Sequence, residues 1–153
     1  MRKVPTSSDT TNPIVLDIIQ TDEGMVDLPG EFIFFWLYEN GRVEFEDLHP
    51  DTSSTHKFVK HELQLTKKQV EEFLTNARQT DFLNAAPRYK LLESYTDMRT
   101  LTRINFKYDG NNKQIELENY MSWREQAREY YPASLISIMQ AAWKIRKENH
   151  RPQ

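Results

Sequence analysis

The stretch Phe32-Ile33-Phe34-Phe35-Trp36-Leu37-Tyr38, followed by Glu39-Asn40-Gly41 and then Arg42-Val43-Glu44-Phe45-Glu46, constrains this chain more than any other. Large aromatic and branched side chains in an unbroken row suit the pleated surface of a strand. The run is also far too short to cross a bilayer. Asn-Gly directly behind it is the strongest local signal for a hairpin closed by a two-residue type I′ turn. With Asn40 and Gly41 as that turn, Tyr38 faces Val43 and Trp36 faces Phe45. Phe32, Phe34, Trp36, Tyr38, Val43 and Phe45 then share one face and form a core wall. The other face sets Ile33, Phe35 and Leu37 beside Glu44 and Glu46, apolar on one strand and acidic on its neighbour.

Around this hairpin the remaining segments take their places. Residues 1–13, rich in Thr, Ser, Asp, Asn and Pro, read as a disordered leader. Ile14 to Gln20 reads as a first strand, and the alternation from Lys57 to Leu65 as a fourth. Thr66-Lys67-Lys68-Gln69 has capping-box spacing, in which Thr66 accepts from the amide three residues on while Gln69 reaches back. Val70, Phe73, Leu74 and Ala77 follow at helical spacing, which predicts a helix over 67–79 with one apolar stripe. Phe82 and Leu83 plug the core beyond its end.

A second hairpin joins Arg99–Tyr108 to a strand from Lys113 to Asn119 across Asp109-Gly110-Asn111-Asn112. A four-residue loop there pairs Phe106 with Ile115 and Ile104 with Leu117, so hydrophobic phase and turn length agree. Ser122-Trp123-Arg124-Glu125 repeats the capping-box spacing. Pro132 suits the first turn of a last helix over 133–148, whose stripe is Leu135, Ile138, Met139, Ala142 and Ile145. The expectation is a single α+β domain over 14–148 with a tail at 149–153. It holds an antiparallel sheet of about six strands with the two main helices packed on one face.

Composition narrows the function classes. At 153 residues one domain can bury a core without staples, and the absence of cysteine excludes disulfides, thiolate metal sites and cysteine nucleophiles. The net charge is −3, with 3 basic and 11 acidic side chains in residues 1–51 against 17 and 12 in residues 52–153. An acidic balance argues against nucleic acid, which needs a basic footprint. Met1-Arg2-Lys3 leads into no apolar core of a signal peptide. The chain as it stands is expected in the cytoplasm, or as a secreted or lipid-anchored protein if a signal has been removed.

The hairpin FIFFWLYENGRVEFED, the passage LTKKQVEEFLTNARQTDFLNAAPRY, and TRINFKYDGNNKQIELEN followed by PASLISIMQAAW together resemble a family of small bacterial α+β domains of unknown function. The resemblance spans roughly residues 31–145. It implies the strand–turn–strand, helix, hairpin, helix order, and secretion or lipid anchoring in many members. It supplies no catalytic residue.

Four constellations can carry chemistry. His49, Asp51 and His56 share one loop, with His61 on the next strand, but His-x-Asp-x4-His is no recognised zinc spacing. Glu44 and Glu46 mimic an acid/base pair, yet charge on a strand also keeps an edge soluble. Tyr120, Tyr130, Tyr131 and Trp123 can line a groove or simply cover the sheet. Ile33, Phe35 and Leu37 form an apolar patch rimmed by Glu44 and Glu46, the size of patch that marks an interaction site. The leading expectation is a non-enzymatic protein-interaction or ligand-binding module without cofactor, metal or membrane span. Its partner, another protein or a second copy, meets the face of Ile33, Phe35, Leu37, Glu44 and Glu46. The alternative is a small hydrolase or metal-dependent enzyme built on the histidines and Asp51 of the 49–61 region.

Overall fold

The computed structural model describes residues 2–7, 11–23, 30–50, 56–90, 99–120 and 127–149. The strands are β1 (Ile14–Glu23), β2 (Glu31–Tyr38), β3 (Arg42–Pro50), β4 (His56–Gln64), β5 (Arg88–Lys90), β6 (Arg99–Tyr108) and β7 (Asn111–Glu118). The helices are α1 (Lys67–Ala77), α2 (Thr80–Leu83), α3 (Ala127–Tyr130) and α4 (Ala133–Asn149). All seven strands join one sheet in the order β4-β3-β2-β1-β6-β7-β5. The α+β class holds, while the strand count exceeds the expected six. The additional strand is β5, three residues long, which runs parallel to β7 at the sheet edge.

Both hairpin turns differ from the sequence reading, in opposite senses. In the first, Trp36 pairs with Glu44 and Leu37 with Val43, one residue out of the expected register. The loop is Glu39-Asn40-Gly41. The Gly41 amide donates to the Tyr38 carbonyl at 2.9 Å, and Gly41 alone of the three takes a positive φ, +90°. That is a three-residue loop with glycine in the left-handed position. In the second, Ile104 pairs with Ile115 and Tyr108 with Asn111, which leaves a two-residue turn with Asp109 at φ 50° and Gly110 at 78°. A shift of one residue exchanges the faces of a strand, and a shift of two preserves them. In the first hairpin β3 keeps its expected face, with Val43 and Phe45 in the main core, so the shift exchanges the faces of the β2 residues next to the turn.

A β-bulge completes the change. Against β1, Ile18 pairs with Phe35 and Ile19 with Ile33, so Phe34 is an extra residue in β2. Beyond it the alternation changes phase. Phe34, Phe35 and Leu37 all join the main core, while Ile33, Trp36 and Tyr38 form a separate cluster with Val4 and Ile14 on the opposite face. Trp36 is expected on the core wall that the helices cover. It lies instead on the face that carries no helix.

The main core is the helix side of the sheet. Leu16, Ile18, Phe35, Leu37, Val43, Phe45, Ile104, Phe106, Ile115 and Leu117 are fully buried there beneath Phe73, Leu74 and Ala77 of α1 and the expected stripe of α4. Phe35 stacks on Phe73 with ring centres 5.1 Å apart. The capping box opens α1 as its spacing predicts, with the Gln69 amide donating to Thr66 Oγ1 and the Thr66 amide to Gln69 Oε1. Phe82 plugs the core from α2, edge-on to Phe106. The first turn of α4 is capped from α2: Asp81 accepts from the Ser134 amide at 3.1 Å and from its hydroxyl at 2.6 Å. Burial pushes the Asp81 carboxyl up, but these bonds outweigh it and hold the group below the usual carboxylate range.

Candidate functional site

Alternation along β1, β2, β3 and β6 sends Asp17, Trp36, Glu44, Glu46, Arg103 and Asn105 to the helix-free face of the sheet. Residues 2–7, read from composition as part of the leader, run along that face. Arg2 bridges Gly30, and the Glu31 amide donates to the Arg2 carbonyl at 2.9 Å. Val4 packs on the Ile33, Trp36 and Tyr38 cluster, and its amide donates to the Glu31 carboxylate at 3.1 Å. The segment behaves as a strap held by residue-specific contacts.

Charge on this face is arranged in pairs. Glu46 is almost fully buried and takes a forked ion pair from Arg2, at 3.0 and 2.6 Å. Its Oε1 also accepts the Ile33 amide at 2.9 Å, next to the bulge, so a carboxylate stands in for a backbone carbonyl. Glu44, also buried, lies 3.2 Å from Arg42 and 3.5 Å from Lys60. Arg103 meets Glu31 at 2.9 Å. These contacts turn Glu44 and Glu46 into anchors of the sheet, each held by cations of its own.

Between the strap and strands β1 and β6 a cleft of about 570 Å³ opens. Val4, Ile14, Ile19 and Trp36 give it apolar walls, and Asp17, Arg103, Asn105 and Lys107 supply polar groups. The Trp36 indole N–H donates to Asp17 Oδ1 at 2.7 Å. Burial raises the Asp17 carboxyl above the usual range, against hydrogen bonds from Trp36 and Asn105 and the charge of Arg103, while Glu31 adds to the rise. Sequence reasoning passed over Asp17. Its signal was there: a single carboxylate inside the apolar run Ile14-Val15-Leu16-Asp17-Ile18-Ile19.

The structure does not bring the five expected site residues together. Phe35 and Leu37 lie in the main core, whereas Ile33, Glu44 and Glu46 lie on the opposite face. Of the histidine region, Asp51 is outside the described residues, and the strand register sets Pro50 against His56 and His49 against Lys57. His61 stacks on Phe45 at 4.8 Å and its Nε2 lies 3.0 Å from Asp47 Oδ2. Asp47 in turn meets Arg146. Among the described residues no three His, Asp or Glu side chains are grouped to hold a metal.

Of the expected aromatic groove, Trp123 is outside the described residues. Tyr131 is buried between Tyr89, Tyr120 and Tyr130, each ring centre within 5.6 Å, and burial pushes its hydroxyl well above the usual tyrosine range. The exposed Tyr130 turns its hydroxyl to β5, donating to the Lys90 carbonyl at 2.7 Å and accepting its amide at 3.1 Å. These tyrosines close the short edge strand. No helix among the described residues is long and apolar enough to cross a membrane.

Compared with protein-family models, curated proteins and solved structures, the chain matches none, and the resemblance carried by its hairpins and helices finds no matching family model.

Proposed function

We propose that this chain is a non-enzymatic binding module whose helix-free sheet face receives a protein or small-molecule partner at the cleft between the strap and Trp36. The observation that carries the reading is the make-up of that cleft. Its volume of about 570 Å³ falls in the range of ligand sites, and apolar walls meet a few convergent polar groups. Trp36 joins the two, with its ring in the Ile33 and Tyr38 cluster and its N–H on Asp17. The ring is almost fully buried, so it forms the floor of the cleft and fixes where its apolar and polar sides meet.

The disposition of the charges supports binding over chemistry. The Glu46 carboxylate holds Arg2 and the Ile33 amide, Glu44 sits between two cations, and His61 and Asp47 are drawn into the contacts of Arg146. Each of these groups is engaged in positioning the backbone or another side chain.

The test is a screen of fragments and short peptides by amide-detected NMR. Ligands should shift the Trp36 indole N–H together with the backbone amides of Asp17, Arg103 and Asn105. Replacing Trp36 with Phe should weaken the best of them by about tenfold or more, roughly the loss of one good contact. Hits that all map elsewhere, or affinities unchanged in Trp36→Phe, would overturn the reading.

A further inference from the structure

We propose that two copies of this chain associate edge to edge through β4, in antiparallel register about His61, and join their sheets into one. This surface is separate from the cleft: β4 is the outermost strand, and three strands stand between it and β6. Among the described residues no strand pairs with its outer edge.

The geometry of that edge is regular. The pairing of β4 with β3 runs without a bulge from Arg42 opposite Gln64 to Pro50 opposite His56. The Leu65 amide donates to the Gly41 carbonyl at 3.0 Å. In an unbroken antiparallel ladder the odd-numbered residues of β4 therefore bond inward to β3. The amides and carbonyls of Phe58, Lys60, Glu62 and Gln64 point outward. An edge of this length with no proline and no bulge is a ready template for another strand.

Charge selects both the occupant and the register. Glu62 lies directly opposite Glu44 across β3 and β4, and like charges so placed repel. Lys60 offsets part of this by reaching Glu44 at 3.5 Å, with half of its side chain still exposed. A second copy turned about His61 sets its own Lys60 opposite Glu62 and its own Glu62 opposite Lys60. The symmetry thus makes two new opposite-charge pairs and supplies a cation at each crowded carboxylate. The same operation brings the half-buried Val59 against Leu63 twice. Shifting the centre by one residue places Lys60 against Lys60 or Glu62 against Glu62, so only the His61-centred register satisfies the charges. It also pairs outward-pointing residues with outward-pointing residues, as an antiparallel ladder demands.

Sedimentation of the full chain tests this. The wild type should show a reversible monomer–dimer equilibrium with a dissociation constant on the order of 0.1 mM, as suits a small interface. K60E and E62K each set like charges across the axis, so each alone should remain monomeric at concentrations where the wild type dimerises. An equimolar mixture of the two should regain the dimer, because every pair across the axis is again of opposite sign. Both substitutions are on exposed side chains, and unchanged circular dichroism checks that the variants fold. A wild type that stays monomeric up to about 1 mM would overturn the proposal. So would a dimer that persists in both single variants, which places the contact on another surface, or a mixture that fails to associate.

Discussion

Arg146 Nη1 donates to the carbonyl oxygen of Phe34 at 2.8 Å, at the one residue by which β2 outruns β1. A bulged residue leaves part of its backbone without a ladder partner. Here a guanidinium from the last turns of α4 fills the gap. It also reaches Asp47 at 3.2 Å and lies over the rings of Phe34 and Phe45 at 4.5 and 5.1 Å. On the other face Glu46 accepts the Ile33 amide. The bulge is thus held from both sides by side chains of opposite charge.

Replacing Arg146 with Met should therefore cost about 3–5 kcal/mol, the loss expected when a buried pair is broken and its carboxylate left behind. Arg146→Lys keeps the charge but not the fork, and should fall between Met and wild type. In a double-mutant cycle with Asp47→Asn the two costs should be clearly less than additive. Urea midpoints measure all of this, and strict additivity would separate Arg146 from Asp47.

Gly41 and Gly110 offer a comparison in which backbone strain is shared and surroundings differ. Both have positive φ, +90° and +78°. A Cβ on Gly41 would stand 2.7 Å from Gln64 Nε2 and 3.2 Å from Val70 Cγ2, whereas one on Gly110 meets nothing within 4 Å. Gly110→Ala should cost about 1–2 kcal/mol from the left-handed conformation alone. Gly41→Ala should cost more, since the neighbours must also move. Equal urea midpoints for the two variants would mean that the loop adapts at no cost.

Much of this architecture was legible in the chain, because periodicity reports which side of an element is buried. The stripe of α4, the capping box at Thr66 and the strand that became β6 follow directly from spacing. What the pattern could not convey was phase. Asn-Gly fits a two-residue turn and equally a three-residue loop with glycine left-handed. Contacts from outside the hairpin, the Leu65 amide and Val70, bear on which is adopted. Within an all-apolar run nothing marks Phe34 as the extra residue, since either face accepts every neighbour. Arg146 is one of several cations near the end of the last helix, and only the fold shows that it turns inward to β2. The candidate cleft was missed for the same reason. With Trp36 assigned to the core wall, it could not be paired with Asp17.

The corrected phase changes what Phe35 can report. As a fully buried side chain stacked on Phe73, it belongs to the fold and not to any exposed patch. Phe35→Ala should cost about 3–5 kcal/mol, the range for removing a core aromatic. Phe35→Glu should abolish the cooperative unfolding transition, since a carboxylate there has no partner. A folded Phe35→Glu chain that differs from wild type only in association would return Phe35 to a surface.

The Asp17 carboxyl gives a prediction with a definite sign. Burial raises its pKa in the folded state above the unfolded value of about 3.9. Between those two values the native chain binds more protons than the unfolded one, so stability contributed by this group falls as pH rises through the window. Asp17→Asn cannot ionise, and its amide oxygen can still accept the Trp36 indole N–H. The variant should thus match the wild type most closely near pH 4, and gain on it as pH rises towards neutrality. Urea midpoints of both chains at pH 4, 5.5 and 7 would show the gap widening with pH. A constant gap would place the Asp17 pKa at its ordinary value, and a gap that narrows would mean that the charged carboxylate is the favoured form beneath Trp36.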